Sequence, residues 1–306
     1  MTRVAAIDCG TNSVRLLVAD LPETGGDLVE LTRRMEIVRL GEGVDRTGRL
    51  SAEAIARTRS VLLAYAEEIR RLGARRVRMV ATSATRDAAN AAEFTDMVRQ
   101  TVGVTPEVIS GGEEARLSFT GAVRGLPSSL RPPYLVVDIG GGSTEFVTGV
   151  DSVLRACSED IGCVRITERH LQSDPPTAAE VAAAEKDVTA AVDRALAAVD
   201  APRPATLVGL AGSVTTVTAI ALDLPTYLPD RIHHARIGYA RVAEITSRLL
   251  AMTHAQRRAL PVMHPGRADV IAAGALIMRV VMERAGADSV VASEHDILDG
   301  IAWSLA

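Results

Sequence analysis

The sequence predicts an α/β protein made of two similar halves, and three observations carry that prediction. Short apolar runs alternate along the chain with longer segments of helical periodicity, the pattern of α/β architecture. Two of the apolar runs end in the same bend, Asp8-Cys-Gly10-Thr-Asn-Ser13 and Asp138-Ile-Gly140-Gly-Gly-Ser143, 130 residues apart. Each bend leads directly into a second apolar run. The length, 306 residues, exceeds one ordinary core and suits two domains of about 150. The repeat is far longer than that of a solenoid, so it points to a duplicated domain with a ligand held between its halves.

The elements follow in order. Residues 4–7 and 14–19 are strands on either side of the first bend, and 28–40 is a further strand or hairpin arm, broken by Gly41-Glu-Gly43 and Thr47-Gly48. Ser51 is an N-cap. Ile55, Thr58, Leu62, Tyr65, Ile69 and Leu72 then recur on one helical face, and Gly73 is placed to end that helix. Residues 76–81 alternate as a strand and run into Thr82-Ser-Ala-Thr-Arg86-Asp87. A helix over 90–101 turns Phe94, Met97, Val98 and Thr101 to one side and stops at Gly103. A strand over 105–109 leads to Ser110-Gly-Gly-Glu113-Glu114-Ala115 and to a helix over 117–123.

The proline-rich stretch Pro127-Ser-Ser-Leu-Arg-Pro-Pro133 opens the second half. Strands at 135–137 and 146–148 flank the Gly140 bend, and another strand precedes Ser158-Glu-Asp-Ile-Gly162-Cys-Val-Arg165. Thr177-Ala-Ala-Glu180 is a capping box for a helix reaching about residue 199, with Val181, Val188, Val192, Leu196 and Val199 inward. A strand over 206–210 runs into Ala211-Gly212-Ser213, which opens another helix. Helices over 239–252 and 267–284, a strand over 289–292 and a helix over 296–305 complete the chain.

Composition narrows the function. Hydrophobic residues make up 47%, enough for two cores, but aromatics only 3%, so those cores are Val, Leu, Ile and Ala. A net charge of −4 gives no global attraction to nucleic acid, and one Trp, three Phe and four Tyr are too few for a base-stacking surface. A local basic groove for a small polyanion is compatible with that charge. Cys9, Cys157 and Cys163 are odd in number and match no zinc spacing. They read as small thiols in a reducing cytoplasm. No signal peptide precedes Cys9, and no apolar run reaches a membrane span. One lysine, Lys186, stands against 33 arginines, a bias that a GC-rich genome explains as well as phosphate binding does. His233 and His234, beside Arg231 and Arg236, read as a solvated loop.

The bends carry the chemistry. Glycine lets the backbone approach a ligand closely, and successive N–H groups in such a turn can converge on one anion. Asp138, at the end of its strand, offers hard oxygen to a divalent cation. Loops around Gly10, Ser83, Gly140 and Gly212 all follow strands, where open α/β sheets bind ligands. Together they suit phosphate better than an apolar substrate.

Five stretches resemble one known family. They are Asp8-x-Gly-Thr-Asn-Ser13, Thr82-Ser-Ala-x-Arg86, Ser110-Gly-x-Glu-Glu114-Ala, Asp138-Ile-Gly-Gly-Gly-Ser-Thr-Glu145 and Arg267-Ala-Asp-x-Ile-x-x-Gly274. In this order they look like the exopolyphosphatase/guanosine pentaphosphate phosphohydrolase (Ppx/GppA) family, short two-domain type. The resemblance implies two actin-like (ribonuclease H-like) α/β domains with an interdomain cleft. Domain I would be 1–125, with the 296–306 helix packed on it, and domain II 126–295. It implies a cytoplasmic phosphoanhydride hydrolase acting on linear polyphosphate or on guanosine pentaphosphate, and suggests a homodimer. Glu114 takes the general-base role and Glu113 a structural one. Gly10, Thr11, Asn12, Ser13, Gly140, Gly141, Gly142, Ser143, Thr144, Gly212 and Ser213 would hold phosphates, and Arg86 and Arg267 would meet developing charge. Asp138 and Glu145 would bind Mg²⁺, with Asp8 a weaker candidate. Family members usually carry Leu-Arg-Glu-Gly near the end, where this chain has Ile297-Leu298-Asp299-Gly300. That departure leaves a non-catalytic polyphosphate or alarmone sensor as an alternative; an actin-like kinase is a further one, against which the Glu114 loop and the lack of an acceptor-sugar motif count. Cys9 reads as a small filler.

Overall fold

A computed structural model describes residues 1–23, 26–201 and 204–306. The chain divides into two compact units, Met1–Gly121 with Ile297–Ala306, and Ala122–Asp296.

Unit 1 holds a five-stranded sheet, β1 (Thr2–Cys9), β2 (Ser13–Leu21), β3 (Val29–Ile37), β4 (Arg76–Ala81) and β5 (Glu107–Val108), in the order β3-β2-β1-β4-β5. β1, β2 and β3 are antiparallel, whereas β4 and β5 add on in parallel. The helices are α1 (Val44–Thr47), α2 (Ala52–Leu72), α3 (Ser83–Arg86), α4 (Ala91–Val102) and α5 (Gly111–Val123). The strand period of two decides what covers each face. Ala5, Ile7, Leu16 and Val18 point to α2 and α4, while Val4, Ala6, Leu17 and Ala19 point to Leu117 and to Ile297, Leu298 and Ile301 near the chain end. Ser51 caps α2 by accepting from Ala54 N–H, and Gly73 ends it with φ 73°.

Unit 2 repeats the plan. β6 (Tyr134–Ile139), β7 (Thr144–Gly149) and β8 (Val153–Glu159) are antiparallel; β9 (Thr206–Leu210) lies parallel to β6, and β11 (Ser289–Ala292) parallel to β9. A three-residue strand, β10 (Arg236–Gly238), extends the edge, so the order is β10-β11-β9-β6-β7-β8. Without β10, both units share one strand order and polarity, the ribonuclease H-like sheet of an actin-like domain. Helices α6 (Cys163–His170), α7 (Ala178–Ala198), α8 (Ala211–Ala221), α9 (Pro229–Ile232), α10 (Tyr239–Ala251), α11 (His254–Arg258) and α12 (Ile271–Arg284) complete it, and α13 (Ile297–Trp303) belongs to unit 1.

Several expectations change. α6, α9, α11 and β10 are short and carry no sustained apolar period, so the sequence did not signal them. α5 begins at Gly111 rather than 117, because Ser110 caps it: its Oγ accepts from Glu113 N–H at 3.2 Å. Two glycines in its first turn hide the helix from propensity. Val181 and Leu196 of α7 are only half-buried, since Ala184, Ala191 and Ala195 fill the inner face with Val188 and Val192. Aliphatics dominate both cores, yet all three phenylalanines, Phe94, Phe119 and Phe146, are fully buried.

Candidate active site

In unit 1 the first bend is closed by Gly10 N–H donating to Ser13 O at 2.9 Å. The loop after β3 binds its outer side: Gly41 N–H donates to Thr11 O at 2.8 Å, and Val38 and Arg39 N–H donate to Asn12 O at 3.0 and 2.9 Å. A trans peptide points its C=O and the following N–H in opposite directions. The amides of Asn12 and Ser13 therefore turn away from that loop. A Cβ on Gly41 would lie 2.4 Å from Thr11 Cγ2, so only glycine allows this approach. The Thr11 and Ser83 hydroxyls share a buried hydrogen bond of 2.9 Å, which joins the first bend to the loop after β4.

Glu114 sits in the first turn of α5, with 8% of its surface exposed. Arg86, on α3, donates Nη1 to Glu114 Oε2 at 3.2 Å and to Ile109 O at 3.0 Å. The two predicted residues thus meet each other, and the guanidinium orients the carboxylate. Glu113 turns instead to Arg78 and Arg116, each 3.7 Å away.

In unit 2 the second bend closes with the same bond, Gly140 N–H to Ser143 O at 3.0 Å. Here α6 supplies the support. Cys163 N–H donates to Gly140 O, Val164 N–H to Gly141 O and Gly162 N–H to Gly142 O, at 2.9, 2.9 and 3.1 Å. Arg165 Nε adds a bond of 2.8 Å to Gly142 O. With three successive carbonyls committed to α6, the amides of Gly141, Gly142 and Ser143 face the opposite way. Amides aimed one way like this can converge on an anion. Thr144 contributes differently: its hydroxyl donates to Ile161 O at 2.6 Å and fastens the turn.

The carboxylates beside the two bends differ in company. Asp138 and Glu145 are direct cross-strand partners, 7% and 1% exposed, and Ser158 Oγ donates to Glu145 Oε1 at 2.8 Å. Asp8 occupies the matching place in unit 1, but opposite it stands Arg15, whose Nη2 and Nε reach Asp8 Oδ2 at 2.7 and 3.0 Å. Like charges directly opposite on a ladder repel. In the first bend an arginine settles the charge; in the second, two hard oxygen donors face each other, a set that suits Mg²⁺. Among the described residues no three or more His, Cys, Asp or Glu side chains are grouped so as to hold a metal ion.

The third loop joins β9 to α8. Ala211 there takes φ 67°, a left-handed conformation that glycine tolerates better. Arg267 Nη1 donates to Gly212 O and Thr216 Oγ1, both at 3.3 Å, and a Cβ on Gly212 would strike its guanidinium carbon at 2.2 Å. Ser213 packs on Gly274, where a Cβ would meet Ser213 Oγ at 2.2 Å. The Arg267–Gly274 motif thus seats both Arg267 and Ser213.

The altered C-terminal motif is an anchor. Asp299 is buried and accepts from Arg33 Nη2 and Nη1 at 2.6 and 3.2 Å. Burial works against the Arg33 charge, but Asp299 and Glu30 outweigh it and raise the guanidinium pKa above its usual range. A Cβ on Gly300 would lie 2.0 Å from Leu117 O, so α13 packs tightly on α5, the helix that carries Glu114. Burial pushes the Cys9 thiol up, and pushes that of Cys163 up to about 11, so both hold their protons at neutral pH.

The model of the Ppx/GppA phosphatase family matches residues 18–305. The chain belongs to the Ppx/GppA phosphatase family. It is 51% identical over 317 aligned residues to Exopolyphosphatase 2 of Mycobacterium tuberculosis, covering all of this chain and 99% of that one. Among solved structures it resembles an exopolyphosphatase-like protein, with 42% identity, a TM-score of 0.94, and coverage of 99% of this chain and 98% of that one. A Ppx/GppA family member from Aquifex aeolicus follows at 32% identity and TM-score 0.83, covering 99% and 97%. No helix of the described residues is long and apolar enough to cross a membrane.

Sequence reasoning missed Arg15, Gly41, Gly162, Arg165 and Ser158. One signal was available. Arg15 follows Asp8 by seven residues, as Glu145 follows Asp138. Aligned two residues beyond Ser13 and Ser143, the two bends show the change of charge.

Proposed function

We propose that this chain is an exopolyphosphatase, removing terminal phosphate from linear inorganic polyphosphate by attack of a water that Glu114 activates. The end-to-end identity of 51% with a protein named Exopolyphosphatase 2 supports this reading most. Hydrolysis of a phosphoanhydride needs a positioned water, in-line geometry and neutralised charge. Glu114, buried on the first turn of α5 and oriented by Arg86, suits the proton-accepting role. The amides turned outward at Asn12, Ser13, Gly141, Gly142 and Ser143 suit phosphoryl oxygens. Arg267, over Gly212, would bind a phosphoryl oxygen of the substrate and meet the charge that develops there, and Ser213 would lie beside it. Asp138 and Glu145 would hold a divalent cation such as Mg²⁺, which when bound lowers the charge on the phosphoryl oxygens. Three free cysteines suit a reducing, cytoplasmic setting.

One assay tests the reading. Orthophosphate release is measured from short polyphosphate, long polyphosphate and guanosine pentaphosphate, with and without Mg²⁺. Preferred release from polyphosphate is the expected result. Release from guanosine pentaphosphate alone moves the chain to the other family activity, transfer to an added alcohol makes it a kinase, and release from none makes it a sensor. Glu114→Gln should lower the rate by about 10²–10⁴; an unchanged rate removes Glu114 from the base role.

A further inference from the structure

Arg257 precedes Arg267 by ten residues and lies in none of the motifs. It is nonetheless 5% exposed and heavily bonded. Its Nε donates to Ala268 O at 2.8 Å, its Nη1 to Met252 O at 3.1 Å and Leu249 O at 3.3 Å, and its Nη2 to Asp174 Oδ1 at 3.3 Å. Burial works against the charge, and Asp174 and Asp269 offset only part of that cost. An apolar side chain would fill the same space without the cost. What the guanidinium adds is therefore its bonds, and they gather three segments: the end of α10, the turn at Asp174, and the residue directly after Arg267.

Those bonds matter because of what lies beside Ala268. Arg267 is carried on a single 3₁₀ turn, Pro265–Arg267. His264 Nδ1 holds the start of that turn by accepting from Gly266 N–H at 3.1 Å. Arg257 holds its end through Ala268 O. With both ends held, Arg267 reaches Gly212 O and Thr216 Oγ1 at the start of α8. A five-donor planar fork can bind several carbonyls at fixed angles, which a lysine ammonium cannot do.

We propose that Arg257 is a positioning residue for Arg267: it fixes the main chain at Ala268 so that the Arg267 guanidinium is delivered over Gly212. The inference rests on the phosphate-binding role proposed for Arg267. Its test is a double-variant cycle on the full chain, with Arg257→Gln, Arg267→Ala and both together, reading KM and kcat for phosphate release from polyphosphate alongside thermal unfolding. Arg267→Ala should raise KM by about tenfold or more, the loss of roughly one charge-assisted contact. Arg257→Gln should raise KM severalfold on its own, yet change it less than about twofold when Arg267 is already gone, because interacting residues are not additive. Its effect on unfolding temperature should be the same in both backgrounds, which separates positioning from plain stability. KM effects that multiply in the double variant overturn the inference alone, as does a wild-type KM for Arg257→Gln. Unchanged kinetics for Arg267→Ala overturn the underlying reading as well. Should Arg257→Gln fail to fold, Arg257→Lys keeps the charge and one bond and is read in the same way.

Discussion

Replacing Gly162 with alanine should detach the second glycine bend from its support. The new Cβ would lie 2.1 Å from Gly141 O, 2.2 Å from Gly141 C and 2.4 Å from Gly142 N. All three are backbone atoms, so no rotamer change relieves the clash. Restoring an ordinary contact of roughly 3.5 Å requires the two chains to part by about 1 Å or more. Overpacking of that kind costs about 1–3 kcal/mol. The bonds from Gly162, Cys163 and Val164 to the bend carbonyls are strained with it, at about 1 kcal/mol for each one lost. A loss of about 2–4 kcal/mol in urea unfolding is expected. With the bend holding phosphate as proposed, a shift of about 1 Å there should lower kcat/KM for polyphosphate by about 10²-fold. Gly103→Ala is the control: its φ is 83° and nothing lies within 4 Å of the added carbon. It should cost about 1–2 kcal/mol of backbone strain and leave the rate unchanged. If Gly162→Ala keeps wild-type stability and rate, α6 is not what holds the bend.

Further expectations concern charge. Asp299→Ala leaves Arg33 without its buried partner; the usual 3–5 kcal/mol for such a break, reduced because Arg33 is about a quarter exposed, gives about 2–3 kcal/mol by urea unfolding. Glu145→Gln should weaken Mn²⁺ binding, followed by calorimetry, by at least about tenfold, whereas Asp8→Asn should leave it in place because Arg15 already answers Asp8. His234 stacks on His233 with ring centroids 3.6 Å apart, and burial, with His295 adding to it, lowers its pKa from 6.5. The unfolded chain then binds that proton more readily than the folded one. Stability is complete above pH 6.5 and falls as the pH drops below it. His234→Asn, which suits φ 63°, should flatten that decline in unfolding curves taken across pH 7 to about 5.

Much of this molecule is local chemistry made visible. The caps at Ser51 and Thr177, the stop at Gly73 and the strands Arg76–Ala81, Thr206–Leu210 and Ser289–Ala292 stand where the residues place them. A hydroxyl before an apolar period, or a glycine after one, acts within a single turn and needs no distant partner. The duplicated bends were legible for the same reason: Asp-x-Gly-x-x-Ser between two apolar runs closes its own Gly-to-Ser hydrogen bond in both units. The motifs also marked Glu114, Arg86 and Arg267 as worth attention.

Their company was another matter. That Arg86 grips Glu114, that Gly162 must lack a side chain because Gly141 O lies against it, and that Asp299 binds Arg33 across 266 residues of chain all depend on distant segments meeting. Burial and ladder register set those meetings, and both are properties of the packed sheet. Periodicity can say that Asp8 and Asp138 end their strands. Only the neighbouring strand says that one faces an arginine and the other a glutamate, and that opposition of charge is what makes the two bends chemically different.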